Sequence, residues 1–157
     1  MESRIDLTTK GQGALTAILG LAKYLAKSTV EQKLLHLIEL RASQINGCAF
    51  CIDMHSKDLR HEGDTEQRLY LLDAWRESPF YTDRERAALA WTEALTLITE
   101  GHVPDEVFDE ARKQFSEEEL IDLTLAICAI NSWTRLNIAF RTPVGMYQPG
   151  QFAAIAS

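Results

Sequence analysis

The 157-residue chain carries a net charge of −7, with 46% apolar and 25% charged residues. That size and balance suit one globular domain with a sizeable core, and scattered Lys and Arg argue against a nucleic-acid partner. No stretch approaches the ~18 uninterrupted apolar residues of a membrane span, and Met1-Glu2-Ser3-Arg4-Ile5-Asp6 lacks the apolar centre of a signal peptide, so a cytoplasmic protein with no membrane partner is expected.

Residues 1–12 read as an extended entry ending near Gly11 and Gly13. Leu15, Ile18, Leu19, Ala22 and Leu25 recur at helical spacing and predict a helix over Ala14 to Lys27. Ser28-Thr29-Val30-Glu31 has the form of a capping box and predicts a second helix to about Ser43. Leu34, Leu35, Ile38, Ala42 and Ile45 form its core stripe, and His36, Glu39 and Ser43 a polar line along another side. A third helix, about 47–62, carries two cysteines and is closed by Gly63. Asp64 and Thr65 cap a fourth with Leu69, Leu72 and Trp75, broken at Ser78-Pro79. Thr82-Asp83-Arg84-Glu85 is a second capping box and opens a fifth helix to Thr99. Pro104 starts a short sixth through Lys113.

Ser116-Glu117-Glu118-Glu119 is a third capping box. It precedes the apolar run Leu120 to Phe140, which Asn131 and Ser132 could split in two; the tail from Met146 to Gly150 reads as extended with a turn. No segment alternates with period two, so the fold class is all-α. Cys128 reads as buried core, His61 and His102 as surface residues, and Trp75, Trp91 and Trp133 as packing or interface. Leu37-Ile38-Glu39-Leu40 and Ile45-Asn46-Gly47 are echoed by Leu120-Ile121-Asp122-Leu123 and Ile130-Asn131-Ser132, which implies a degenerate internal helical repeat. One domain over 1–157 is expected, with a dithiol core at about 28–100 and C-terminal helices and tail at 104–157. Helices apolar on more than one face imply a homo-oligomer.

The chemistry centres on Asn46-Gly47-Cys48-Ala49-Phe50-Cys51-Ile52-Asp53-Met54-His55. On a helix, Cys48, Cys51 and His55 fall at i, i+3 and i+7, on one face. With Asn46 as N-cap, both cysteines sit near the helix start, where unpaired N–H groups and the positive dipole end favour a thiolate. His55 can take the thiol proton directly or through one water. This proposes a redox dithiol with its own base. Two other readings stay open: a pair of buried cysteines that happen to fall three apart, or a zinc site. Three ligands crowded on one rigid helix face surround an ion poorly, and no second pair completes a closed site. Haem attachment is excluded because Ile52, not His, follows Cys51. No metal and no cofactor is therefore expected.

The run Leu40–His55, together with Glu62-Gly63-Asp64-Thr65-Glu66, Thr82–Trp91 and Thr142-Pro143-Val144-Gly145, resembles the AhpD-like alkylhydroperoxidases of the carboxymuconolactone decarboxylase-like superfamily. The resemblance implies an all-helical bundle, a homo-oligomer and thiol-dependent reduction of hydroperoxides by a dithiol or thiol-protein reductant. It implies that Cys51 attacks the peroxide, Cys48 resolves the sulfenic acid, and His55 belongs to a proton relay. The family's relay glutamate lies twelve residues before the first cysteine. His36 stands there in this chain, with Glu39 the nearest carboxylate; Phe50 stands where better-studied members have a histidine. The decarboxylase branch lacks the cysteine pair, which favours redox chemistry. The competing functions are a redox-sensing module that does not turn over and an enzyme acting on a small carbon acid with His55 as base.

Overall fold

The computed structural model describes residues 2–152 and, within them, is built of helices with no strand. The helices are α1 (Leu7–Lys10), α2 (Gln12–Leu25), α3 (Gln32–Asn46), α4 (Ala49–His61), α5 (Glu66–Leu71), α6 (Asp83–Thr96), α7 (Asp105–Gln114) and α8 (Glu117–Phe140). Helix α3 is central, with α4, α6 and α8 packed around it. It buries Leu34, Leu35, Leu37, Ile38 and Leu40 against Leu59, Leu72, Leu89, Leu123 and Ile127. Each such side chain contributes roughly 1.5–3 kcal/mol of transfer free energy.

Two of the three capping boxes form as expected. Thr82 accepts from the Glu85 N–H while the Glu85 carboxylate accepts from Thr82 N, and Ser116 and Glu119 do the same at α8. The box expected at Ser28 does not form. The Ser28 hydroxyl instead donates to buried Asp122 on α8 (2.6 Å), Glu31 pairs with Arg84, and α3 begins at Gln32 with no side-chain cap. The amino-terminal entry also differs, since Asp6 accepts from Thr8 N (2.8 Å) and caps the short α1.

Helix α8 runs unbroken through Asn131 and Ser132 for 24 residues. The echoed positions Asn46 and Asn131 hydrogen-bond to each other (2.9 Å), yet they part in backbone. After Asn46, Gly47 takes a left-handed conformation (φ +69°) and ends α3. After Asn131, Ser132 stays helical and donates to the Cys128 carbonyl. Cys128 is exposed rather than buried, because the core-facing side of α8 is taken by Ile127, Ala129 and Ile130. The tail is extended with a turn, as expected, and Gln151 N donates to the Gln148 carbonyl. No helix among the described residues is long and apolar enough to cross a membrane.

Candidate active site

Gly47 decides where the site begins. By turning left-handed it closes α3 at Asn46, three residues beyond the end at about Ser43 that the sequence suggests, so Asn46 belongs to α3 and Cys48 itself is the N-cap of α4. Its Sγ accepts from the backbone N–H of Cys51 at 3.3 Å. Cys48 and Cys51 are joined as a disulfide, with Cα atoms 5.4 Å apart. Both are sealed from solvent, at 1% and 0% exposure, in a small apolar cluster with Ala42 and Ile130. Half-buried Phe50 and Trp133 pack against that cluster.

His55 lies one turn beyond Cys51 on the same face of α4 and is 5% exposed. Its Nδ1 is 3.3 Å from Glu39 Oε2 on α3, close but not aligned as a hydrogen bond, and its Nε2 has no partner among the described residues. The polar line read along α3 therefore faces the dithiol helix. Burial pushes the Glu39 carboxyl up to about 7; His36 pulls it down, while the charges of Asp58 and Glu62 add to the rise. Burial, helped by His36, pushes the His55 imidazole down to about 3. The pair is thus a neutral imidazole beside a carboxyl that keeps its proton to near neutral pH. His36 stands further out. Its ring centroid is 6.1 Å from that of His55, and its Nδ1 is 3.1 Å from Glu62.

All five residues singled out from the sequence, Cys48, Cys51, His55, His36 and Glu39, come together at the α3–α4 contact. Two further features of the site are not legible in the sequence. Asn137 of α8, 8% exposed, donates from Nδ2 to Cys51 Sγ at 3.4 Å. The only sign of it is a lone amide in the apolar run Leu136-Asn137-Ile138-Ala139. Tyr147, from the extended tail, is buried and donates to Asp58 on α4 (2.7 Å), while Lys57 donates to the Gly145 and Tyr147 carbonyls. The tail thereby straps the outer side of α4. Among the described residues no cluster of three or more His, Cys, Asp or Glu side chains could hold a metal ion.

An all-helical bundle with a Cys-x-x-Cys pair at a helix start matches the AhpD-like class of helical proteins. The chain belongs to the carboxymuconolactone decarboxylase family, whose model matches residues 12–94. It is 43% identical over 139 residues to the uncharacterized protein YdfG of Bacillus subtilis (strain 168), covering 88% of this chain and 95% of the relative. A crystal structure of an Agrobacterium tumefaciens protein of unknown function, provisionally assigned as an antioxidant defence protein AhpD, superposes with a TM-score of 0.89 at 45% identity; the match covers 93% of this chain and all of that one. The apo debrominase Bmp8 superposes with a TM-score of 0.75 at 25% identity, over 88% of this chain and 74% of that one. Family and cysteine pair together support a peroxidase-like redox role.

Proposed function

We propose that this protein is a thiol peroxidase that reduces alkyl hydroperoxides by cycling Cys48 and Cys51 between dithiol and disulfide. The observation that carries this reading is the joined Cys48–Cys51 pair one turn from a buried imidazole that itself meets a carboxyl group. In the reduced protein, His55 takes the Cys51 proton on its free Nε2 while its Nδ1 proton passes to the ionised form of Glu39, so the buried imidazole stays neutral. The thiolate attacks the terminal peroxide oxygen, forming an S–O bond as the O–O bond breaks. The departing alkoxide takes the proton from His55 and leaves as an alcohol, while Cys51 is left as a sulfenic acid. Cys48 attacks that sulfur, forming the disulfide and releasing water. A dithiol or a thiol protein then reduces the pair and is itself oxidised to a disulfide.

Glu39 serves the relay from the Nδ1 side, because a carboxyl titrating near 7 both gives and accepts a proton at working pH. His36, at the family's glutamate position, is a positioning residue that tunes the Glu39–His55 pair through its charge. Half-buried Phe50 and Trp133 pack against the covered sulfurs and border the approach of a small peroxide. The protein works as one domain in a reducing compartment such as the cytoplasm, where the disulfide is reopened each cycle. It does so as a homo-oligomer that covers exposed Phe108 and Ile121.

The test is turnover of an organic hydroperoxide with a panel of dithiol donors, wild type beside Cys51→Ser and Cys48→Ser. Wild type is expected to cycle, Cys51→Ser to be inactive, and Cys48→Ser to accumulate sulfenic acid or a mixed disulfide. A wild-type protein that oxidises once and stops would be a redox sensor. A Cys48→Ala/Cys51→Ala protein that acts on a carbon acid would replace this reading with the decarboxylase-like one.

A further inference from the structure

We propose that Asn137 is a further catalytic residue: its side-chain N–H stabilises the Cys51 sulfur as a thiolate, and Thr142 holds the amide in the orientation that lets it do so. The proposal deepens the reading of Cys48 and Cys51 as a redox pair and rests on it.

The apolar cluster around the sulfurs offers little to a negative charge. A thiolate among Ala42, Ile130, Phe50 and Trp133 loses hydration and gains nothing from hydrocarbon, so burial alone favours the neutral thiol. Among the described residues each sulfur accepts one N–H. Cys48 accepts from the backbone of Cys51, as an N-cap does. Cys51 accepts from Asn137 Nδ2 at 3.4 Å, and that contact is fully buried. The second bond joins two residues 86 positions apart, so helix formation does not account for it.

The way α8 ends fixes the amide. Arg141 turns left-handed (φ +57°), which brings the backbone N–H of Thr142 back to the Asn137 carbonyl at 3.0 Å. The Thr142 hydroxyl then donates to Asn137 Oδ1 at 2.8 Å. A disulfide sulfur has no hydrogen to donate, so the amide turns its NH₂ toward Cys51 and gives its oxygen to Thr142. Asn137 is thereby committed before Cys51 carries any charge, which is the condition for preorganised stabilisation.

The consequence is largest when the disulfide opens. A dithiol that attacks Cys48 forms a mixed disulfide there, and the S–S electron pair leaves on Cys51. A leaving sulfur stabilised as a thiolate leaves faster. The second thiol of the reductant then displaces Cys48 and closes its own disulfide. A donor aimed at Cys51 thus favours the reduced pair.

The experiment uses the full chain with Asn137→Ala, Asn137→Asp and Thr142→Val. One readout is the pH dependence of Cys51 thiolate absorbance in a Cys48→Ser background. The other is the equilibrium of the Cys48–Cys51 disulfide with a dithiothreitol redox buffer. Losing a hydrogen bond to a charged sulfur is expected to cut the thiolate-to-thiol ratio about tenfold in Asn137→Ala. Asn137→Asp, which sets a carboxylate against the thiolate, should lose more, and Thr142→Val less. The disulfide equilibrium should move toward the oxidised form by a similar factor, about 30 mV per tenfold. If Asn137→Ala fails to fold, Thr142→Val gives the same readouts with the amide still in place. Unchanged ratios in the folded variants, with only a lower melting temperature, would overturn the proposal and leave Asn137 a packing residue. Neither readout uses peroxide, so a wild type inactive toward hydroperoxides would sink the peroxidase reading without touching this result.

Discussion

Helices α4 and α8 start with the same backbone problem and solve it differently. At α8, the Ser116 oxygen accepts from Glu119 N, the Glu119 carboxylate accepts from Ser116 N, and Glu117, Glu118 and Glu119 all sit against the positive helix end. At α4 the capping atom is the Cys48 sulfur, the residue three further on is Cys51, and the first turn holds no carboxylate. The α8 start is neutralised for stability. The α4 start is left electropositive, with a weak sulfur acceptor where an oxygen would hold better. In one chain, equivalent N–H groups and dipole ends are closed off at α8 and left open to a thiolate at α4.

The difference is broken most severely through the base. His55→Gln keeps a buried polar side chain but cannot take the Cys51 proton. Hydroperoxide turnover is expected to fall by about 10²–10⁴, with the disulfide still forming slowly under strong oxidant. Stopped-flow measurement of Cys51 oxidation checks it, and an unchanged rate would remove His55 from the mechanism.

The two regions also hold carboxyls of opposite temper. The capping bond from Ser116 N, with Arg84 beside it, holds Glu119 below its ordinary value, so Glu119 supports stability that is lost as pH falls. Glu39 is raised to about 7, so it supports stability present below about 4.5 and lost as pH rises through 7. His55, lowered to about 3, does the reverse: its contribution is present above about 6.5 and lost as pH falls toward 3. Glu39 and His55 therefore oppose each other between about pH 4.5 and 6.5. Removing either one uncovers the other. Glu39→Gln should make stability rise with pH across that window relative to wild type, and His55→Gln should make it fall. Urea midpoints at a series of pH values decide it, and parallel curves for all three proteins would show that the two groups do not titrate as described.

Much of this was legible from residue spacing. Thr82 and Ser116 announce their helices because a capping box is local: four consecutive residues contain both hydrogen bonds. Cys48, Cys51 and His55 were legible for the same reason, being one face of one helix. What escaped depends on partners distant in the chain. Ser28 looks like a cap until Asp122, 94 residues on, takes its hydroxyl. Asn137 looks like an ordinary helical amide until α4 lays Cys51 against it. Glu39 stands out in the sequence as the carboxylate nearest the relay position, but its meeting with His55 depends on the turn at Gly47, which folds α4 back onto α3. Asn46 looks like an N-cap because it is a good one by type, but a left-handed Gly47 makes it the last residue of the preceding helix instead.

The smallest effect tests the comparison most directly, by giving α4 what α8 already has. Ala49 is exposed in the first turn of α4. Ala49→Glu places a carboxylate against the helix end that Cys48 and Cys51 occupy. If the empty first turn matters, two changes must appear together. The helix should gain about 0.3–1 kcal/mol from the charge–dipole interaction, seen as a higher urea midpoint. The Cys51 thiolate should become harder to form, since a second negative charge now competes for the same N–H groups, and alkylation at fixed pH should slow. Ala49→Gln, with the same reach and no charge, should do neither. A gain in stability with no loss of thiol reactivity would mean that the dipole end does not act on the sulfurs, leaving the activation of Cys51 to the side chains of His55 and Asn137 alone.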